Sequence, residues 1–239
     1  MFHFQKRKMV KTAFAAAIAL ALAACGGEGD DSDAAAAMAP STLSGVAAIG
    51  APVVQGRVDC QCASGASATA STASDGSFSL GLLDSDYPCA LRLTGGTAQD
   101  KPMTTPLHSL ARSAGTANIT PLTDLMVASL SGQRPAAWLA GARPGDMAGI
   151  ITDARLSQAL DSLSAALASL PDQLLLPANF HPITSLFGAQ PEDSAHDLLE
   201  DYARALEAAG LTQDSATARV AAGEKLAPSS HRATAPEPG

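Results

Sequence analysis

The chain has 239 residues and a formal net charge of −8, and 46% of its residues are hydrophobic although only 4% are aromatic. This length is enough for one large domain or two small ones. The acidic balance argues against nucleic-acid binding, which leaves a basic footprint, and the shortage of aromatic residues argues against a deep stacking or cofactor pocket. Alanine accounts for 51 residues, so much of the hydrophobic content is small side chains.

The N-terminus has the pattern of an export signal. An apolar run of 13 residues, 12–24, follows a group of four basic residues, Lys6, Arg7, Lys8 and Lys11. A membrane-spanning helix needs ~20 apolar residues, so this run is too short to span a bilayer and is typical of a signal peptide. We therefore expect residues 1–24 to be removed. The net charge then changes from −8 to −12, because the leader holds four basic residues and no acidic one.

The end of this leader, Leu22-Ala23-Ala24-Cys25, resembles a bacterial lipobox. The resemblance implies that diacylglycerol is attached to the Cys25 thiol and that the new amine is acylated, and several acyl chains anchor a protein far more firmly than one. Residue 26 is glycine rather than the aspartate that retains many such lipoproteins in the inner membrane. The implied location is the outer membrane, with the chain facing the periplasm or the cell surface. An ordinary secretory signal followed by a chance cysteine is the alternative.

Residues 25–42 are predicted to be the lipidated cysteine and a flexible acidic tether. The segment contains four acidic residues and almost no large side chain, so it cannot bury enough apolar surface to offset the entropy of ordering it. A Ca²⁺ site at Asp30-Asp31-Ser32-Asp33 is a weaker hypothesis, since the segment lacks the glycine and distal glutamate of an EF-hand loop.

Residues 43–120 show the period-two pattern of β-strands. Val58, Cys60 and Cys62 alternate with polar neighbours, which predicts a half-buried strand. The dipeptide Asp75-Gly76 predicts a hairpin turn, because glycine adopts a positive φ without strain. Seven short strands with this spacing indicate a β-sandwich. The predicted strands are 43–48, 54–62, 68–72, 78–82, 89–93, 103–111 and 117–120.

Three stretches, SGVAAIGAPVVQGRVDC, ASDGSFSL and YPCALRLTGG, resemble a carboxypeptidase regulatory-like domain. Its markers are the G-x-P-V-x-x-G-x-V opening at residues 50–58 and the D-G-S-F turn at residues 75–78. The following NITPLTDLMVA, residues 118–128, is similar to a segment of proteobacterial lipoproteins of unknown role. The resemblance implies a prealbumin/transthyretin-like β-sandwich without peptidase activity, because the domain itself contains no catalytic residues.

Cys60, Cys62 and Cys89 share the predicted interior face, and an exported location permits disulfides. Cys60 and Cys62 lie two apart on one strand, with Cα atoms ~6.5–7 Å apart, at the limit of disulfide geometry. A Cys62–Cys89 bridge joins two strands more easily and matches the pair of the resembling domains, and Cys60–Cys89 is the alternative. We expect the left-over thiol to be buried and inert rather than redox-active or intermolecular.

The C-terminal half is predicted to be helical. Thr120 and Pro121 are typical of an N-cap and the first residue of a helix, and Gly132 ends it. Leucines at spacings of three and four predict a second helix over 146–170, and further helices are predicted over 191–209 and 212–222. The expected fold class is α+β, with a seven-stranded sandwich followed by a helical domain over 121–225. Residues 226–239 are expected to be a disordered tail.

Known catalytic motifs are absent: there is no G-x-S-x-G, H-E-x-x-H, P-loop or G-x-G-x-x-G, so we expect no cofactor, no metal and no enzymatic activity. His196 has helical spacing to Asp193, Asp197 and Glu200 that could form a metal or acid/base site, but a solvated acidic helix face is the preferred interpretation. Asp124 is interpreted as a helix-start residue, with a ligand role as the alternative.

These patterns favour a non-catalytic, lipid-anchored cell-envelope protein that acts as a binding or assembly module. It would be attached to the membrane through Cys25, with an envelope protein or a glycan as its partner and no role for nucleic acid. A structural or adaptor lipoprotein of an envelope complex is the first alternative. A hydrolase using His181 or His196 is the second, and it requires one of these histidines in a concave pocket beside a serine, a cysteine or a carboxylate.

Overall fold

The structure is a computed structural model that describes residues 40–187 and 194–227. Within these ranges the chain is mixed α+β, with nine strands and six helices. No helix in this part of the chain has the length and hydropathy needed to cross a bilayer. The predicted leader, the lipidation site Cys25 and residues 26–39 of the predicted tether lie outside the described residues, as does the tail from residue 228.

Antiparallel pairing dominates the sheets. The strands are β1 (Ser41–Val46), β2 (Arg57–Cys62), β3 (Ser67–Ser71), β4 (Ser77–Leu82), β5 (Cys89–Thr94), β6 (Thr97–Ala98), β7 (Lys101–Pro102), β8 (Leu107–Ala111) and β9 (Gly115–Thr116). A four-stranded antiparallel sheet has the order β3-β2-β5-β8, and a three-stranded sheet has the order β4-β1-β9 with β9 parallel to β1. Strands β6 and β7 form a separate hairpin.

The alternation in the sequence decides which side of each strand is buried. In β2, Val58, Cys60 and Cys62 are buried, while Arg57 is exposed. On the opposite face Asp59 pairs with Arg57 at 2.7 Å and with Arg92 of β5 at 3.1 Å. The four-stranded sheet therefore has an apolar inner face and a charged patch on its outer face.

Several predicted strands needed correction. The turn at Asp75-Gly76 exists, and Gly76 has a φ of 77°, but β3 and β4 belong to different sheets, so the turn is not a hairpin. The predicted strand 54–62 begins at Arg57, because Gln55 has a positive φ of 57° that interrupts it. The predicted strand 103–111 is reduced to β8, and within 117–120 Ile119 makes an isolated bridge to Ala47. Strand β1 also starts inside the predicted tether, at Ser41.

The helices are α1 (Pro121–Ser131), α2 (Pro135–Gly141), α3 (Pro144–Ile150), α4 (Asp153–Ala168), α5 (Ser194–Ala208) and α6 (Gln213–Ala221). Helix α1 confirms the prediction: Thr120 caps its N-terminus by accepting a hydrogen bond from the backbone of Thr123, and Gly132 ends it with a φ of 65°. The predicted helix over 146–170 is wrong as a single element. Thr152 caps a new helix, α4, and separates it from α3. Helix α2 had not been predicted.

The buried apolar side chains form one continuous core that extends from the strands into the helices. Helix α1 lies at the centre of the helical part, since it packs against β8 on one side and against α4 and α6 on others. Every residue of β8 is buried as a result. The predicted disordered tail begins too early, because Leu226 is fully buried and its backbone N–H donates to the Ser169 hydroxyl.

Candidate functional site

The three cysteines of strands β2 and β5 meet in the core. Cys62 and Cys89 lie directly opposite each other on β2 and β5, with Cα atoms 3.9 Å apart, and a disulfide joins them, as in the preferred prediction. The Cys60 sulfur lies 3.8 Å from that of Cys62. Burial raises the pKa of the Cys60 thiol to about 12 and the nearby Asp86 charge adds to the effect, so the free cysteine remains protonated at neutral pH. The cluster is thus a structural bridge beside a protonated thiol.

His196 is not part of a metal or acid/base cluster in the described structure. Its Nδ1 lies 3.0 Å from the carbonyl oxygen of Gly50, and its ring meets that of Phe187 edge to face at 5.6 Å. Asp193, one of its predicted partners, lies outside the described residues. The imidazole therefore joins the start of α5 to the loop after β1, a contact that supports packing.

His181 lies in a concave surface of about 390 Å³ whose lining includes Ser157 and Asp153. Asp153 accepts hydrogen bonds from Arg112, the shorter at 2.9 Å. The His181 Nδ1 accepts from the backbone N–H of Ile183 at 3.3 Å, and burial lowers the pKa of the imidazole. The ring is thus turned toward its own loop, and no hydrogen bond in the described structure joins it to a serine.

The residue pair that sequence reasoning missed is His108 with Asp124. His108 on β8 and Asp124 in the first turn of α1 are both buried, and Nδ1 lies 2.7 Å from Oδ1. The same carboxylate oxygen accepts the backbone N–H of His108 at 3.1 Å. The Thr123 hydroxyl donates to the His108 carbonyl at 2.8 Å. Asp124 is thus a helix-start residue, as predicted, and its carboxylate also fixes α1 on the last strand of the four-stranded sheet.

This pair continues into a polar chain that reaches a groove. Gln213 donates to Asp124 Oδ2 at 3.2 Å and accepts from the Tyr202 hydroxyl at 2.9 Å. Burial raises the pKa of Tyr202 well above its usual value, and the Asp124 charge acts in the same direction. Tyr202 is thus a hydrogen-bond donor at any ordinary pH. The other ring nitrogen of His108, Nε2, is buried and has no hydrogen-bond partner among the described residues.

The groove lies between α5, the start of α6 and the segment before β8, and encloses about 420 Å³. Tyr202 and Gln213 line part of it, with Glu207 as the one ionisable carboxylate of its lining. The remaining contact area is mainly aliphatic and comes from Ile49, Met103, Leu107, Leu199, Leu206 and Leu211. Volumes of this order are usual for ligand-binding clefts. Chemically, the groove offers apolar contact, an amide and hydroxyls.

A more polar concave surface of about 600 Å³ covers the outer face of the four-stranded sheet. The Arg57–Asp59–Arg92 group lies in it. Burial alone would raise the pKa of Asp59, but hydrogen bonds from the two arginines lower it on balance. The carboxylate partly neutralises both cations, so this surface has one net positive charge from the three groups.

Local sequence signals could not have revealed the His108–Asp124 pair, which joins a strand to a helix 16 residues later. A usable hint was the unusual content of β8, a histidine and a serine between leucines. Comparison with protein-family models, with curated proteins and with solved structures found no match. The site therefore has to be interpreted from its own geometry.

Proposed function

We propose that this chain is an exported, lipid-anchored binding or assembly module of the cell envelope, without a catalytic site of its own. The observation that carries the proposal is the aliphatic groove beside Tyr202 and Gln213, because its described lining offers contact area rather than a nucleophile next to a base. The groove is the candidate contact surface for an envelope partner.

Export and anchoring are inferred from the N-terminal sequence, in which a short apolar leader ends at Cys25. The Cys62–Cys89 disulfide supports the same compartment, since disulfides persist in oxidising surroundings such as the periplasm and the cell surface. Delivery to the outer membrane follows from Gly26 in place of an aspartate, within the lipobox resemblance.

The buried His108–Asp124 pair supports a binding module over a hydrolase. Nucleophilic catalysis needs a base within hydrogen-bond reach of a nucleophile and access for a substrate. His108 is 3% exposed, its Nδ1 is engaged by Asp124, and its Nε2 has no hydroxyl or thiol within hydrogen-bond reach in the described chain. The pair stabilises the contact between α1 and β8.

For the fold we propose a transthyretin-like sandwich made of the two larger sheets. The supporting features are the shared core of the four-stranded and three-stranded sheets and the turn at Asp75-Gly76 that leads from one sheet to the other. Such a sandwich would present its loops and edges for contacts, with the helices packed on β8.

Anchoring is tested with Cys25→Ala in the full chain. We expect the variant to lose palmitate labelling and to move from the membrane fraction to the soluble fraction. A variant that is still labelled and membrane-bound would contradict the lipid anchor. This outcome would leave the groove unaffected, so the two parts of the proposal can fail separately.

The binding role is tested by in-cell crosslinking with mass spectrometry, using Ala203→Arg in the groove. Ala203 is exposed on α5 and lines the groove, whereas Ala208 is exposed on the same helix away from it. We expect Ala203→Arg to remove the crosslinks to the partner and Ala208→Arg to keep them. Equal crosslinking of both variants, or specific hydrolysis by the purified protein, would overturn the proposal.

A further inference from the structure

Within residues 40–187 and 194–227, no strand pairs with the outer edge of β3 in the four-stranded sheet. Two backbone hydrogen bonds show which residues of this segment direct their N–H and C=O groups toward β2. The Cys62 N–H donates to the Ala66 carbonyl, and the Thr72 N–H donates to the Gly56 carbonyl. Because the bonds of an antiparallel pair alternate, Ala68 and Ala70 bond to β2. The N–H and C=O groups of Ser67, Thr69 and Ser71 therefore point away from the sheet, and these three residues are exposed.

The opposite edge of the same sheet is covered. All five residues of β8 are buried, since α1 packs against this strand. Natural edge strands that stay unpaired are usually protected by lysine, proline or a bulge. Residues 63–74, which include β3, contain no charged residue and no proline. The β3 edge therefore has the groups required for strand addition and none of the usual protection.

The sequence of β3 selects the partner. Ser67-Ala68-Thr69-Ala70-Ser71 is identical in both directions, and Thr69 is its centre. An antiparallel copy aligned on Thr69 places Thr69 opposite Thr69, and Ser67 opposite Ser71 of the second copy. In this register the three outward-facing residues of each strand meet each other, so all their backbone groups pair at once.

We propose that β3 pairs with β3 of a second copy of this chain about a twofold axis through Thr69, which joins the two four-stranded sheets into one sheet of eight strands. The interface is isologous, as in most closed dimers. This inference goes beyond the proposed function and does not depend on the lipid anchor.

The register is tested with single cysteines in the full chain, separated on non-reducing gels. Directly opposed residues of a hydrogen-bonded antiparallel pair have Cα atoms ~5.5 Å apart, within disulfide range. We expect Thr69→Cys to form a covalent dimer. Ser71→Cys alone should not, because its two copies would lie ~14 Å apart along the strands. Co-expression of Ser67→Cys with Ser71→Cys should restore the dimer. The wild-type chain, whose free Cys60 is buried, is the control.

A second measurement uses charge instead of a covalent bond. In chains with two different tags, we expect copurification to be lost when both carry Thr69→Lys, since like charges directly opposite each other disfavour strand pairing. It should return when one copy carries Thr69→Lys and the other Thr69→Glu. Ser71→Lys in both copies faces Ser67 of the second copy and should retain most of the copurification.

Each measurement has an outcome that overturns the proposal. The inference is wrong if Thr69→Cys gives no dimer although the protein is folded, as shown by the intact Cys62–Cys89 bridge. It is equally wrong if Ser71→Cys dimerises as well as Thr69→Cys, because the pairing then has another register. A covalent product with a different protein would assign the edge to another partner and exclude the second copy.

Discussion

Replacing Asp124 with alanine is expected to destabilise the protein strongly, because three donors share its carboxylate. The His108 backbone N–H lies 3.1 Å from it, the His108 ring nitrogen 2.7 Å and the Gln213 amide 3.2 Å. With Asp124 ionised, Nδ1 carries the proton of this contact. In the Asp124→Ala variant the two His108 donors stay buried without an acceptor.

The expected loss in the free energy of unfolding can be worked out from these contacts. A buried donor left without a partner costs about 1–3 kcal/mol, and His108 has two of them. Gln213 is half-buried and can turn toward water, so its contribution is smaller. Two unpaired donors together give an expected loss of about 2–6 kcal/mol. We expect the free energy of unfolding of Asp124→Ala to fall by this amount.

The assay is urea unfolding with the disulfide intact, followed by circular dichroism at constant pH. Asp124→Asn keeps one acceptor oxygen and should lose about 1–2 kcal/mol. Asp153→Ala is the matched surface control: its partner is Arg112 and its side chain is 79% exposed, so its loss should stay below about 1 kcal/mol. A loss for Asp124→Ala no larger than that for Asp153→Ala would refute the reasoning.

Three more outcomes follow from the strands. Removing the bridge with Cys62→Ala and Cys89→Ala should cost about 3–4 kcal/mol in urea unfolding, as expected for a cross-link with a sequence separation of 27, whereas Cys60→Ala should cost about 1 kcal/mol. The native Cys60 thiol, whose pKa is about 12, should resist iodoacetamide at neutral pH and react once urea unfolds the chain, as judged by mass spectrometry. Asp59→Asn should be less stable than the wild type above about pH 4, and this difference should vanish as the pH falls through the lowered pKa of Asp59, because protonation ends its pairing with Arg57.

Local signals predicted the local elements well. The first helix was located because Thr120, Pro121 and Gly132 act through groups within a few residues of the helix ends. The inward-facing cysteines followed from period-two alternation, which needs no knowledge of the partner strand. In both cases the information lies in the segment itself.

The same local signals could not predict which strands pair with each other. The Asp75-Gly76 turn has hairpin chemistry, yet the strands on either side of it pair with different neighbours, β2 and β1. Turn chemistry fixes a change of direction and says nothing about which sheet the next strand joins. The division between α3 and α4 had a local signal in Thr152, but the leucine spacing across residues 146–170 concealed it.

The His108–Asp124 contact was not predicted, for a different reason. A histidine in a strand and an aspartate in the first turn of a helix each have an ordinary explanation when taken alone, and their pairing depends on α1 folding back onto β8. The sequence could indicate the strand and the helix, whereas the contact between them is a property of the tertiary fold. For this reason the buried His108–Asp124 pair was absent from the predicted sites.

The two edges of the four-stranded sheet connect this buried pair with the proposed dimer. At β8 the edge is protected by α1, which the Asp124 carboxylate fixes to the strand, and at β3 nothing described covers the outward-facing backbone groups. Weakening the α1 contact in Asp124→Ala should therefore expose a second edge of the sheet, at β8. This edge has more apolar side chains than β3, and its sequence is not the same in both directions. Chains with this variant should form aggregates without a defined size. Association through β3 should stop at two copies, because a twofold pairing occupies the β3 edge of both copies.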